Sequence, residues 1–196
     1  MSNFDTAQFN ELIHSRRSVY TRDYSGERVD DAIVLQMLEN ANWAPSHKLT
    51  EPWRFVVFTN DGLKKLADFQ SACYKQVTTS NGTFDKKKWE GLKTKPLECS
   101  HIIAIGMKRH AEKGLPEWEE LGAVFCAIEN MYLTATVYGV GCYLSTGGIT
   151  NFEEAKEFFG LEKSDRLVGF MHLGVPKNAL PLGRRKSTEE KVTWIR

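Results

Sequence analysis

Two clusters of positive side chains stand at opposite ends of the chain. Arg16-Arg17 lie within the stretch HSRRSVY, from His14 to Tyr20, and Arg184-Arg185-Lys186 lie near the C-terminus. Ser18 follows the first pair directly. The chemistry open to these side chains is anion binding. A phosphate monoester taken out of water is costly unless charged donors replace its hydration. The planar fork of arginine does this bidentately, and a serine hydroxyl adds a neutral donor. The competing reading is two solvated charge runs, which composition alone favours. Each cluster borders an apolar element, where a half-buried site can form, but spacing by itself leaves both readings open.

Other reactive patterns fail on their own terms. A dinucleotide fingerprint needs G-x-G-x-x-G between a strand and a helix. YGVGCYLSTGG offers Gly139 and Gly141 but has Leu144 in the third position, and it follows a predicted helix. There is no phosphate-binding G-x-x-x-x-G-K-[ST], no H-E-x-x-H and no G-x-S-x-G. His14, His47, His101, His110 and His172 are scattered singly, so no metal site is expected. Cys73, Cys99, Cys126 and Cys142 form no C-x-x-C pair and read as reduced, mostly buried thiols of a cytoplasmic protein.

Hydrophobic spacing predicts the elements that would position the arginines. Phe9, Leu12 and Ile13 fall at i, i+3 and i+4 and predict a first helix ending near Arg16. A second helix is predicted over Val29–Ala41. NWAPSHKLTEPW breaks helical order at Pro45 and Pro52 and leads into a buried strand, RFVVFT. Asn60-Asp61-Gly62 turns into a helix around Leu63–Tyr74. Residues 76–96 are polar and lysine-rich and read as a mobile, partly helical excursion or lid. HIIAIGM, GVGCYLS and RLVGFMHLG read as three further strands, and Glu117–Tyr138 as one long helix, apolar on most sides. Asn151 with Glu154 suggests a capped helix stopped by Gly160. VTWI, near the end of the charged tail, alternates like a strand with nothing of its own to pair with, which suggests pairing on a partner subunit.

Bulk properties bound the function. A chain of 196 residues with 41% hydrophobic and 26% charged residues suits one soluble domain over 1–196. The formal net charge of +1 gives no global field for nucleic acid or an anionic membrane, so an anion site must be local. The polar opening MSNFDTAQFN has no apolar core of a signal peptide, and no apolar run approaches the length of a membrane span.

Five stretches in order, RRSVY, NWAPSHKLTEPWRFVVF, YGVGCYLSTGG, RLVGFMHLGVP and RRKSTEEKVTWI, resemble the FMN-dependent nitroreductase-like flavoproteins, in particular their small single-domain branch. The resemblance covers nearly the whole chain. It implies an α+β fold, a mixed or antiparallel sheet wrapped by helices, in an interlocked homodimer whose segment from about 180 to 196 extends over the partner. It implies two FMN sites at the dimer interface. Arg16, Arg17 and Ser18 match the segment at the phosphate and flavin edge, and Arg184 and Arg185, with Lys186 less firmly, match a second set of phosphate donors. Trp43, Pro45, Ser46 and His47 match the segment that reaches the flavin from the neighbouring chain. Leu144, Ser145 and Thr146 match the segment along the flavin's other side, where Gly147 and Gly148 let backbone approach the ring. Two positions depart from the family pattern: Leu49 and Glu51 stand where Asn and Gln are common.

The implied activity is NAD(P)H oxidation, with NADH or NADPH as donor. Hydride passes to the flavin and then to a small electron-poor acceptor such as a nitroaromatic or quinone, without a catalytic side chain. The alternatives are a flavoprotein of the same fold with other chemistry, reductive dehalogenation or flavin fragmentation, and a non-catalytic flavin-binding protein.

Overall fold

The computed structural model describes residues 4–180 and 183–196. Residues 1–3, and 181–182 within the tail expected to cross to a partner, lie outside the described residues.

Among the described residues four strands form one sheet: β1 (Trp53–Thr59), β2 (His101–Met107), β3 (Gly141–Ser145) and β4 (Arg166–Gly174). Their order is β1-β2-β4-β3, and every neighbouring pair is antiparallel. β2 is buried at every position, as its unbroken apolar run requires of a central strand covered on both faces. Period two divides its side chains. Ile103, Ile105 and Met107 join one core, whereas Ile102 and Ala104 join the other.

Five α-helices among the described residues cover the sheet: α1 (Thr6–Ser15), α2 (Asp31–Asn42), α3 (Asp61–Ser80), α4 (Lys86–Thr94) and α5 (Glu117–Val137). α2 and α5 bury Met37, Ala41, Val124, Ala127 and Met131 in the first core. α3 buries Leu66, Cys73 and Tyr74 in the second. Asp5, Asp30 and Asp85 cap α1, α2 and α4, each accepting from a backbone N–H of the first turn. Each cap contributes about 1 kcal/mol.

A bulge at Val168, between the pairs Ile105–Gly169 and Gly106–Leu167, bends β4. Beyond it Gly169 admits the end of β3. A Cβ on Gly169 would lie 2.8 Å from the Ser145 carbonyl oxygen and 2.9 Å from Leu144 Cδ1.

Three expectations from the sequence need correction. Residues 76–96 are largely ordered helix. α3 runs on to Ser80 because Thr78 is buried and donates its hydroxyl to the Tyr74 carbonyl, and α4 docks through half-buried Trp89 and Leu92. The helix expected after Asn151 is two 3₁₀ turns, Glu153–Ala155 and Glu157–Phe159, with Phe152 in the cap position. Gly160, at φ 68°, is the stop as expected. VTWI is not a strand. Val192 follows the 3₁₀ turn Thr188–Lys191, and Trp194 and Ile195 are 77% and 96% exposed. A lone extended segment has no ladder to join within one copy of the chain.

Candidate functional site

The segment after α1 lies directly on the outer edge of β3. Ser18 forms a parallel bridge with Cys142, and the Val19 N–H donates to the Cys142 carbonyl at 2.9 Å. Val19 is buried, and the buried Tyr24 hydroxyl sits 2.9 Å from the carbonyl oxygens of both Val19 and His172. Burial pushes the Tyr24 phenol well up, so it stays a neutral donor. Gly174 has no Cβ because the Tyr24 ring rests on it. These contacts fix Arg16, Arg17 and Ser18 beside the strand that carries the other predicted site residues.

Arg16 is mostly buried. Its guanidinium lies 5.1 Å from the Tyr132 ring centroid and 3.7 Å from the Glu129 carboxylate. Arg17 donates Nη1 to the carbonyls of His14 and Arg16, both at 2.6 Å, and its guanidinium packs against Gly183. One cleft of about 510 Å³ is lined by Ile13, His14, Arg16, Arg17, Glu129, Gly183 and Arg185. The two ends of the chain therefore meet in one protomer. Three arginines face one carboxylate there, a donor set suited to a dianion. Arg184 does not line the cleft; its carbonyl accepts from Arg185 Nη1 at 2.8 Å, while its own side chain is exposed. Lys186 lies 3.9 Å from Glu190.

Along β3, the Leu144 N–H donates to the Tyr132 hydroxyl at 2.6 Å. Burial raises the Tyr132 phenol, and a hydrogen bond with Ser18 works against that rise. Tyr132 thus ties Arg16 and Ser18 to Leu144. Ser145 is half-buried, whereas Thr146 and Gly147 are exposed. A Cβ built on Gly147 meets nothing within 4 Å, so the backbone there faces open space. Gly148, at φ 73°, packs close to Leu92.

The segment 43–47 is elsewhere in the protomer. Trp43 is 79% exposed at the end of α2 and lines a groove of about 790 Å³ with Phe4, Leu12, Leu133 and Val137. Pro45 is exposed, Ser46 accepts from the Glu51 N–H at 3.3 Å, and His47 Nδ1 lies 2.5 Å from a Glu119 oxygen. None of the four lines the arginine cleft. Lys48, Leu49 and Glu51 all have φ between 43° and 51°, a left-handed conformation that costs a non-glycine residue on the order of 1 kcal/mol. Lys48 Nζ donates to the Lys113 carbonyl at 2.6 Å, and Lys113 Nζ donates to the Lys48 carbonyl at 3.1 Å.

The family profile described as Nitroreductase family matches residues 13–175. The chain belongs to the nitroreductase family. The Bacillus subtilis (strain 168) relative "Putative NAD(P)H nitroreductase YfhC" is 27% identical over 184 residues, 93% of this chain and 92% of its own length. A nitroreductase-like family protein from Bacillus cereus superposes with a TM-score of 0.80 at 26% identity, over 100% of this chain and 98% of that one. The fold alone is shared with the FMN-dependent nitroreductase NfnB from Mycobacterium smegmatis, solved in complex with NADPH. The TM-score is 0.75 at 17% identity, covering 98% and 100% of the two chains.

Within this nitroreductase chain the matched stretch holds Arg16–Ser18 and Leu144–Gly147 but ends before Arg185. The entry of Arg185 into the arginine cleft is a finding of the structure. Sequence reasoning missed Tyr132 and Glu129, three residues apart on α5 and facing Arg16. Their spacing reads equally as the ordinary face of a long buried helix. It also missed the Tyr143–His172 pair, whose rings stack at 4.6 Å and 7°.

Proposed function

We propose that the protein is an FMN-dependent NAD(P)H oxidoreductase that works as a homodimer on small electron-poor acceptors such as nitroaromatics and quinones. The observation that carries this reading is the arginine cleft, where both ends of the chain meet beside the end of β3. Membership of the nitroreductase family and relatives named as NAD(P)H nitroreductases support it.

The residues fit the cofactor. Arg16, Arg17 and Arg185 would hold the phosphate, with Ser18 at the flavin edge. The Ser145–Gly147 backbone, open in the protomer, would lie along the ring. FMN, when bound, supplies two-electron redox chemistry, taking hydride from NAD(P)H and giving it to the acceptor. The protein's own work is then to bind, orient and exclude water.

A second copy of the chain would cover the exposed apolar residues Phe9, Ile13, Trp43, Val137, Tyr138 and Trp194. Trp43, Val137 and Tyr138 line one groove, and exposed apolar residues gathered in this way mark an interaction face. Trp43, Pro45, Ser46 and His47 would reach the partner's flavin from that interface, and the tail from about 180 to 196 would lie across the partner.

Three measurements test the reading: the visible spectrum of the purified protein, its stopped-flow reduction by NADH and by NADPH, and its mass in solution. A colourless protein that binds no added FMN would refute it. Rapid NAD(P)H oxidation with a quinone present would rule out a non-catalytic binder.

A further inference from the structure

The turn that joins α3 to α4 holds the one Asn-Gly pair of the sequence, Asn81-Gly82. Both residues are exposed. α3 ends there in a Schellman motif. With Asn81 as the cap, the Thr83 N–H donates to the Thr78 carbonyl at 2.8 Å and the Gly82 N–H to the Thr79 carbonyl at 3.3 Å. The motif needs a left-handed residue after the cap, and Gly82 supplies it at φ 73°. The same glycine leaves its own nitrogen unshielded. A Cβ built on it would meet nothing within 4 Å, so this peptide faces open space.

A glycine nitrogen beside an asparagine carboxamide is a nucleophile next to an electrophile. We infer that Asn81 is a site of spontaneous self-modification, and that the turn itself sets the rate. The Gly82 nitrogen attacks Asn81 Cγ and gives up its proton to solvent. The Cγ–Nδ2 bond breaks, ammonia leaves and a five-membered imide closes. Water then opens the ring. Entry at Cγ restores the main chain and leaves an aspartate. Entry at the main-chain carbonyl carbon leaves isoaspartate, with one methylene added to the backbone. Water is the only co-reactant, and nothing is oxidised or reduced.

The folded turn holds the reaction back. At ψ 5° the Gly82 nitrogen is eclipsed with the nitrogen of Asn81, not with its Cβ as ring closure needs. The carboxamide is pinned as well. Its Oδ1 accepts from the Thr83 N–H at 3.1 Å and from the Thr83 hydroxyl at 2.5 Å. Attack waits for the turn to open locally. The consequence reaches α4. Isoaspartate lengthens the backbone inside the motif, and aspartate adds a negative charge at the C-terminal end of α3, where the helix dipole opposes it. Asp85 caps α4 just beyond the turn, Gln70 of α3 donates Nε2 to the Leu92 carbonyl at 2.5 Å, and Leu92 packs on Gly148. A modified turn therefore holds α4 less firmly on α3 and on the end of β3.

The test is to incubate the purified protein at pH 8 and 37 °C and sample it over days. Isoaspartate is counted by enzymatic methylation with an isoaspartyl methyltransferase. Mass spectrometry reads the tryptic peptide 76–86, in which Asn81 is the only asparagine. Isoaspartate should accumulate in that peptide ahead of any other and should be absent from it in Asn81→Gln, whose longer side chain does not close the five-membered ring. The synthetic peptide 76–86, which lacks the fold, should react faster by roughly tenfold or more, the worth of one to two hydrogen bonds. Thr83→Ala removes the hydroxyl donor and should speed the reaction in the protein by about 2- to 12-fold. Trypsin should cut at Lys86, Lys87 and Lys88 faster in aged protein than in fresh protein.

Absence of isoaspartate from the folded protein, with the free peptide forming it, overturns the modification. Equal rates in protein and peptide, or a Thr83→Ala protein no faster than the wild type, overturn the control by the turn. The peptide comparison stands whatever Thr83→Ala does to the fold. Tryptic cleavage unchanged by ageing overturns the consequence for α4.

Discussion

Gly147 and Gly169 flank the same short stretch of backbone, and alanine at each should do opposite things. A Cβ on Gly147 meets nothing within 4 Å, and its φ is not positive. Gly147→Ala therefore costs the protomer little. The loss of unfolded-state freedom should even stabilise it by about 0.4–1 kcal/mol. If a flavin ring lies along this backbone, the added methyl intrudes on it. Overpacking of this kind costs about 1–3 kcal/mol, which weakens FMN binding by roughly 5- to 150-fold. Valine or a bulkier residue there should come close to abolishing binding. Gly169→Ala instead drives a methyl to 2.8 Å from the Ser145 carbonyl oxygen, a backbone atom that moves only with its strand. It should cost about 1–3 kcal/mol of stability in the apoprotein, a fall of roughly 2–12 °C in Tm for a chain of this size. Differential scanning calorimetry of the apoproteins and fluorescence titration with FMN separate the two effects. If Gly147→Ala binds FMN as tightly as the wild type and is reduced as fast, no ring lies along Ser145–Gly147 and the site assignment is wrong.

Arg17→Ala and Arg185→Ala should each weaken FMN binding by about tenfold or more, the worth of a hydrogen bond to a charged group, as read by equilibrium dialysis. Arg184→Ala, outside the cleft, should change it far less. Tyr24→Phe leaves the Val19 and His172 carbonyls without their hydroxyl and should lower stability by about 1–3 kcal/mol in urea denaturation. His172 supplies a pH signature. Its pKa is about 4 in the folded chain against about 6.5 unfolded, so below pH 6.5 the unfolded state binds the extra proton. Its contribution is intact above pH 6.5 and fades as pH falls toward 4, by about 2 kcal/mol at pH 5. His172→Gln should remove that part of the difference between urea curves at pH 7 and pH 5; an unchanged difference would mean His172 does not stay neutral in the fold.

The strands and the long helix were readable because each is dominated by one interaction. HIIAIGM has no polar alternation because both faces of β2 are covered, and α5 announces itself by being apolar nearly all round. The extension of α3 to Ser80 was hidden because the residue buried on its last turns is the polar Thr78, where hydrophobic spacing expects Leu or Val. α4 was hidden because only Trp89 and Leu92 anchor an otherwise lysine-rich helix. The tail misled because VTWI has the alternation of a strand, whereas pairing needs a partner edge that no local pattern supplies. At the site, Arg16 and Arg17 could be singled out from their types and their place at a helix end. Arg185 came only from the family resemblance, which named Arg184 equally, and Gly183 not at all, since more than 160 residues intervene and no local pattern links them to the first cluster. Tyr132 was illegible because its role depends on reaching Leu144 across the gap between a helix and a strand.

The left-handed residues Lys48, Leu49 and Glu51 bear on how this protein can change. Glycine at any of the three would relieve torsional cost, so a screen for heat resistance in the isolated chain should return these codons early. The same relaxation would loosen the presentation of His47 and its neighbours to a second copy. Variants that melt latest alone should then assemble worst, and durability and partnership would pull this loop in opposite directions.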